Sequence, residues 1–191
     1  MKTNFLKKKL GILGGGQLGK MLINVARKWS IQTYILDPNP DCPASKCCDL
    51  FFNGDFNSYE DVYNFGKKVD IITIEIEHVN VKALYKLEDE GVAVYPSPSN
   101  IELIQNKGVQ KDFFKKNKIP TSNYKRFDNK KTLSKYISRI ESSYPFIWKS
   151  ETMGYDGKGV KLVKSLSDLD EINERSCLIE NIVDIKHELA V

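Results

Sequence analysis

The stretch GILGGGQLGKML, residues 11–22, restricts the possible folds more than any other part of the chain. A short apolar run, KLGILG, enters three consecutive glycines, and a helix-period pattern follows over Gln17–Lys28, with Leu18, Met21, Leu22 and Val25 on one face. Strand, glycine turn and helix in this order open a βαβ unit. The glycines let backbone approach a ligand closely, and the helix N-terminus offers unpaired N–H groups and partial positive charge. The letters allow several readings. Gly14-x-Gly16-x-x-Gly19, with Asp37 closing the next strand, fits a dinucleotide site. Gly14-x-x-x-x-Gly19-Lys20 is most of a P-loop, but Met21 cannot supply the hydroxyl that meets magnesium. An ordinary tight turn fits as well.

The rest of the first hundred residues keeps the same rhythm. IQTYILD makes a second strand, ended by Pro38 and Pro40, and a helix is predicted over Ser58–Lys67. VDIITIEIE (69–77) is β-branched enough for a strand buried in a parallel sheet, and a helix over Val81–Glu90 leads into VAVYP (92–96). Strand alternating with helix predicts an α/β fold with a doubly wound parallel sheet. PSPSN (96–100) breaks the pattern and sets the domain boundary, giving residues 1–100 and 101–191. Helices are expected over Ile101–Gln105, Lys107–Asn117 and Lys130–Ile140, with KIPTSNY extended between the last two. Strands are expected at PFIWKS (145–150) and VKLV (160–163), with a short helix capped near Ser167. CLIENIV and DIKHELAV read as two final β-like runs, and the second stops in mid-pattern, as part of a longer protein would.

A second glycine loop carries more specific chemistry. WKSETMGYDGKG (148–159) puts Lys149 on a strand, then Gly154, Gly157 and Gly159 in a turn before the next strand. Such a hairpin can close over a triphosphate with backbone N–H groups while a strand lysine neutralises charge. A wide turn would need no ligand.

Composition excludes other classes. A net charge of +4 without interleaved Arg and aromatic residues argues against nucleic acid. No apolar run reaches the roughly 18–20 residues of a membrane span, and no signal peptide precedes the first strand, so a cytoplasmic protein is expected. Cys42, Cys47, Cys48 and Cys177 lack zinc-ligand spacing, and reduced thiols are expected.

In order and spacing, GGGQLGKM (14–21), EIEHV (75–79), QKDFFKKNKIPT (110–121), Lys149 with GYDGKG (154–159) and ENIVDIKHEL (180–189) resemble the 5-(carboxyamino)imidazole ribonucleotide synthases of the ATP-grasp superfamily. The resemblance implies a Rossmann-like pre-ATP-grasp domain over 1–100, then the N-terminal part of an α+β ATP-grasp domain over 101–191. It also implies a cytoplasmic, usually homodimeric ligase that spends ATP and bicarbonate, through carboxyphosphate, to carboxylate aminoimidazole ribonucleotide. By the same resemblance, ATP is met by Lys107 (where the family has arginine), Lys149, the loop Gly154, Tyr155, Asp156, Gly157, Lys158, Gly159 and Val160, the adenine hinge Glu180, Asn181, Ile182 and Val183, and Glu188 on the ribose. The ribonucleotide is met by Gln17, Leu18, Tyr155, Asp156, Lys158 and an acid of EIEHV, Glu77 before Glu75. No catalytic residue is assigned, magnesium ligands are expected beyond residue 191, and the 191-residue chain alone is expected to be inactive. Asp37 then becomes a cap for its strand or turn. An NAD(P)-linked oxidoreductase and a catalytically inert nucleotide-binding module stay as rivals.

Overall fold

The apolar run before the first glycine loop forms β1 (Lys9–Leu13), and it lies at the centre of a five-stranded sheet. The structure, a computed structural model, describes residues 8–139, 144–152, 154 and 159–189. The chain divides into two compact units, Met1–Glu102 and Leu103–Val191.

In the first unit β1 is followed by α1 (Gln17–Lys28), β2 (Gln32–Asp37), β3 (Leu50–Asn53), α2 (Tyr59–Gly66), β4 (Ile71–Ile74), α3 (Val81–Asp89) and β5 (Ala93–Tyr95). All five strands are parallel, in the order β3-β2-β1-β4-β5. Leu13, Val62, Phe65, Ile72, Leu84 and Leu87 join α2 and α3 to one face, and Ile12, Ile23 and Ile35 join α1 to the other. Each such side chain stabilises the fold by roughly 1.5–3 kcal/mol on leaving water. Ser58 and Asn80 cap α2 and α3 by accepting from the Asp61 and Ala83 N–H groups.

The sequence pattern missed two features here. The short edge strand β3 lies in DLFFN, too brief to show alternation. The apolar stripe of α1 is not its buried face. Gly19, Ile23 and Ala26 are buried, while Leu18, Met21, Val25 and Trp29 are each more than half exposed. A Cβ at Gly19 would stand 2.9 Å from the Gly14 carbonyl oxygen, so the smallest residues set which side of the helix can approach.

Asp70 fastens the start of β1. Its carboxylate accepts from the Lys9 N–H and from Lys8 Nζ, both at 2.9 Å, and these bonds, the backbone one first, hold it below the usual aspartate range. A carboxyl depressed by folding stabilises above its unfolded value of about 3.9 and loses that contribution as pH falls through the folded value. Asp70→Asn is therefore expected to lower the melting temperature at pH 7 and to converge with the parent chain near pH 2. An equal gap at both values would contradict it.

The second unit begins within α4 (Pro98–Gln105) and continues through α5 (Lys107–Lys116), β6 (Tyr124–Phe127), α6 (Lys130–Ile137), β7 (Phe146–Ser150), β8 (Val160–Val163), a 3-10 turn (Leu166–Glu171) and β9 (Cys177–Asn181). Its sheet is antiparallel, in the order β6-β9-β7-β8. One face packs Phe127, Phe146, Trp148 and Cys177 on Leu133 and Ile137 of α6. Ser165, not Ser167, holds the N-cap of the 3-10 turn, with its N–H donating to Asp168 Oδ2 at 3.0 Å. The predicted strand in DIKHELAV does not form over its described part, residues 184–189. That segment pairs with no strand among the described residues, and Ile185 and Leu189 are 72% and 87% exposed.

Candidate functional site

Each unit contributes one candidate site, and both begin where strands end. In the first unit the sheet order reverses between β1 and β4, the switch point at which open α/β sheets bind ligands beyond the strand C-termini. The glycine loop after β1 and EIEHV after β4 meet there. Gly14 has φ +96°, a region that disfavours any side chain, and a Cβ there would stand 2.6 Å from Glu75 Oε2. A Cβ on Gly16 would stand 2.5 Å from Glu75 Oε1. The loop is glycine-rich because a carboxylate lies against it. Glu75 is thus the acid packed on the loop, while Glu77 is exposed at the edge with its carboxylate 3.8 Å from His78 Nε2.

Asp37 organises the same loop from the other side. Its Oδ2 accepts the Gly15 N–H at 2.7 Å and its Oδ1 accepts the Asn39 N–H at 2.8 Å. The residue is 8% exposed. Both oxygens are engaged with backbone, so Asp37 is a cap at the end of its strand. Gln17 and Leu18, in the first turn of α1, are exposed. Gly16 caps that helix without a side-chain bond, which leaves the capping to backbone geometry.

In the second unit the register builds a polar face. Tyr124 faces Glu180 and Arg126 faces Leu178, while Ile147 and Lys149 of β7 face Glu180 and Leu178 from the other side. Opposed residues share a face, so Tyr124, Arg126, Lys149 and Glu180 project away from the apolar core. Helix α5 lies on them and is held mainly by charge. Gly108 is its single buried residue, and Val109 and Phe113 are 42% and 41% exposed.

Glu180 is the hub of one cluster. Its Oε2 accepts from Ser122 Oγ at 2.8 Å and from Lys149 Nζ at 3.1 Å. Lys111 Nζ stands 3.2 Å from Oε1, an ion-pair distance without hydrogen-bond alignment. Burial opposes ionisation of this carboxyl, and the Ser122 and Lys149 bonds with the Lys111 charge outweigh it, so the group titrates below the usual glutamate range. Lys107 reaches the hairpin, with Nζ donating to the Gly154 carbonyl at 2.9 Å. The hairpin is closed at its base by the Ser150 N–H, which donates to the Gly159 carbonyl at 2.8 Å.

The structure therefore brings together Lys107, Lys149, Gly154, Gly159 and Glu180, with Val160 starting β8. Asn181 ends β9, its N–H on the Asn123 carbonyl at 3.0 Å, and Ile182, Val183 and Glu188 follow, exposed. Tyr155, Asp156, Gly157 and Lys158 lie outside the described residues. Sequence reasoning missed Lys111 and Ser122. Lys111 was detectable, since it stands one helical turn after Lys107 and shares its face. Ser122 carried no signal.

Known proteins resemble both units. The family of ribonucleotide synthetase pre-ATP-grasp domains matches residues 7–105, and the ATP-grasp domain family matches residues 112–191. Phosphoribosylaminoimidazole carboxylase of Candida glabrata is 39% identical over 191 residues, covering 95% of this chain and 33% of the relative. N5-carboxyaminoimidazole ribonucleotide synthase of Staphylococcus epidermidis is 32% identical, covering 98% and 52%. Among solved structures, the Aspergillus clavatus carboxyaminoimidazole ribonucleotide synthase with ATP superposes with TM-score 0.85 at 34% identity, over 95% of this chain and 49% of that one. The same organism's enzyme with ADP and 5-aminoimidazole ribonucleotide gives TM-score 0.81 at 32% identity, over 95% and 48%. The chain thus spans about a third to a half of the length of the relatives it matches.

Proposed function

The chain belongs to the ribonucleotide synthetase pre-ATP-grasp family, and from that membership we propose that it is the nucleotide- and substrate-binding part of an ATP-grasp carbon–nitrogen ligase. The reaction is the ATP-dependent carboxylation of 5-aminoimidazole ribonucleotide with bicarbonate, through carboxyphosphate. It yields 5-(carboxyamino)imidazole ribonucleotide, ADP and phosphate for purine synthesis in the cytoplasm, in a homodimer as in the resembled family. The supporting observation is the convergence of Lys107, Lys149 and Glu180 on one sheet face at the base of the Gly154–Gly159 hairpin. Relatives of this plan have been crystallised with ATP, and with ADP and the ribonucleotide.

In this reading Lys149 and Lys107 neutralise phosphate oxygens and the hairpin backbone encloses them. The backbone of Glu180–Val183 pairs with the adenine edge, and Glu188 accepts from the ribose hydroxyls. Gln17, Leu18 and one acid of EIEHV hold the ribonucleotide at the β1/β4 switch point; Tyr155, Asp156 and Lys158, assigned to the same substrate by the family resemblance, lie outside the described residues. Glu75, packed on the glycines, sets the loop, and Glu77 at the exposed edge stays the contact acid. Magnesium would accompany the triphosphate. Among the described residues no group of three His, Cys, Asp or Glu side chains is placed to hold it. No described helix is long and apolar enough to cross a membrane.

Thermal melting with single ligands tests the proposal. Magnesium ATP and 5-aminoimidazole ribonucleotide should each raise the melting temperature, by linkage worth about 2.7 kcal/mol at a hundredfold excess over Kd. NAD should not. A shift with NAD alone would restore the oxidoreductase reading, and a shift with ATP but not the ribonucleotide would favour the inert module.

A further inference from the structure

Apart from the Glu180 cluster, the polar sheet face carries a second set of charges that no nucleotide role accounts for. Arg126 on β6 grips Glu151 through one fork, Nε on Oε1 at 2.6 Å and Nη2 on Oε2 at 2.9 Å. Its remaining fork, Nη1, donates to Asp112 Oδ2, and Asp112 Oδ1 accepts from the Tyr124 hydroxyl at 2.6 Å. The Glu151 side chain is 5% exposed, in a place that a carboxylate occupies only when it is paired.

The position of Glu151 gives the pair its meaning. It is the first residue after β7, at the joint where the strand that carries Lys149 becomes the glycine hairpin. Its backbone is tied on both sides. The Glu151 N–H donates to the Ser176 carbonyl at 3.1 Å, and its own carbonyl accepts the Lys107 N–H at 2.8 Å. Lys107 opens α5, and Asp112, five residues on, lies on the same helix. A closed circuit results: α5 holds Arg126 through Asp112, Arg126 holds the Glu151 side chain, and the Glu151 backbone holds the first residue of α5. Gly108 lies against the pair, and a Cβ there would overlap Glu151 Oε1 and Arg126 Nε. The helix can sit this close because that position has no side chain.

We propose that Arg126, Glu151 and Asp112 form a positioning clamp that fixes the base of the glycine hairpin and the start of α5, and so sets where Lys107 and Lys149 meet the triphosphate. The functional part rests on the nucleotide reading above; the mechanical part does not. Arginine suits the task because its planar fork fixes direction as well as charge, and lysine at the same place would keep only the charge. None of the clamp residues touches the nucleotide in this scheme. They act through Lys107 and the hairpin backbone, where a small misplacement of binding groups costs affinity.

Residue-resolved amide exchange and calorimetric titration with magnesium ADP, both on the full chain, separate the parts. In Arg126→Gln the amides of Lys107, Ser150 and Glu151 should exchange at least about tenfold faster, while those of β1 and β4 stay as in the parent chain. Magnesium ADP should bind about tenfold more weakly. Arg126→Lys should fall between the two chains in both readouts, and it serves as the probe if the glutamine variant does not fold. Glu174→Gln, which removes the distant exposed pair with Lys130, should change neither. Parent-like exchange at Lys107, Ser150 and Glu151 in both Arg126 variants would overturn the clamp. Faster exchange with unchanged ADP affinity would overturn its functional part. Faster exchange in a chain whose parent does not bind ADP would support the mechanical clamp and sink the nucleotide reading instead.

Discussion

Replacing Lys149 with methionine is expected to weaken magnesium ATP binding by about 10- to 100-fold, since a hydrogen bond to a charged group is worth about 1.5–3 kcal/mol. The substitution keeps the length of the aliphatic stem and removes only the ammonium. It also changes the neighbourhood of Glu180, whose side chain is 7% exposed and would retain only Ser122 and Lys111. A buried carboxylate that loses one of its two cations is held ionised less firmly, so its titration should move upward and the variant should lose stability at neutral pH. The sign follows from linkage. Glu180 titrates below its ordinary range in the folded chain, so its pairing stabilises above the unfolded value and is lost as pH falls through the folded one. Calorimetric titration measures the affinity and thermal melting the stability. Unchanged ATP affinity in a folded Lys149→Met chain would remove this lysine from the phosphate site.

Gly108→Ala reverses a general rule. In an exposed helix interior, alanine gains up to about 1 kcal/mol over glycine. Here the added methyl would overlap an oxygen of the buried Glu151 carboxylate and a guanidinium nitrogen of its partner Arg126. Overpacking costs about 1–3 kcal/mol, and loosening the partner of a buried carboxylate adds to it. The expected net effect is a loss of about 3 kcal/mol in denaturant unfolding of the second unit. A neutral or stabilised Gly108→Ala chain would mean that α5 can shift without penalty and would count against a tight circuit there.

The two glycine loops illustrate how far residues alone carried the reading. GILGGGQLGKML announced a strand, a turn and a helix, and all three form. Alternation of helix and strand implied a parallel doubly wound sheet, and the five-stranded sheet has that form. The short strands β3 and β6 escaped because LFFN is too brief to alternate and YKRF is charged at its two middle positions, so neither stands out as an apolar β run. DIKHELAV read as β-like with apolar residues set among polar ones, but a strand is a relation to a neighbour, and among the described residues none pairs with its described part. The stripe on α1 was legible as a stripe, yet which side met the sheet depended on how closely Gly19 lets the helix approach the Gly14 carbonyl.

The sequence by itself determined most of the elements and their alternation, the two glycine loops and the lysine on the strand before the second, because propensity, turn chemistry and periodicity act between residues close in the chain. It also carried the family resemblance. Tertiary structure alone decided which acid packs on the first loop, Glu75, and which partners hold Glu180. It alone created the Arg126–Glu151–Asp112 clamp, whose members are separated by 14 and 25 residues. Antiparallel register and a helix laid across a polar face bring such groups together. Neither can be read from any local window, because each depends on where the chain returns.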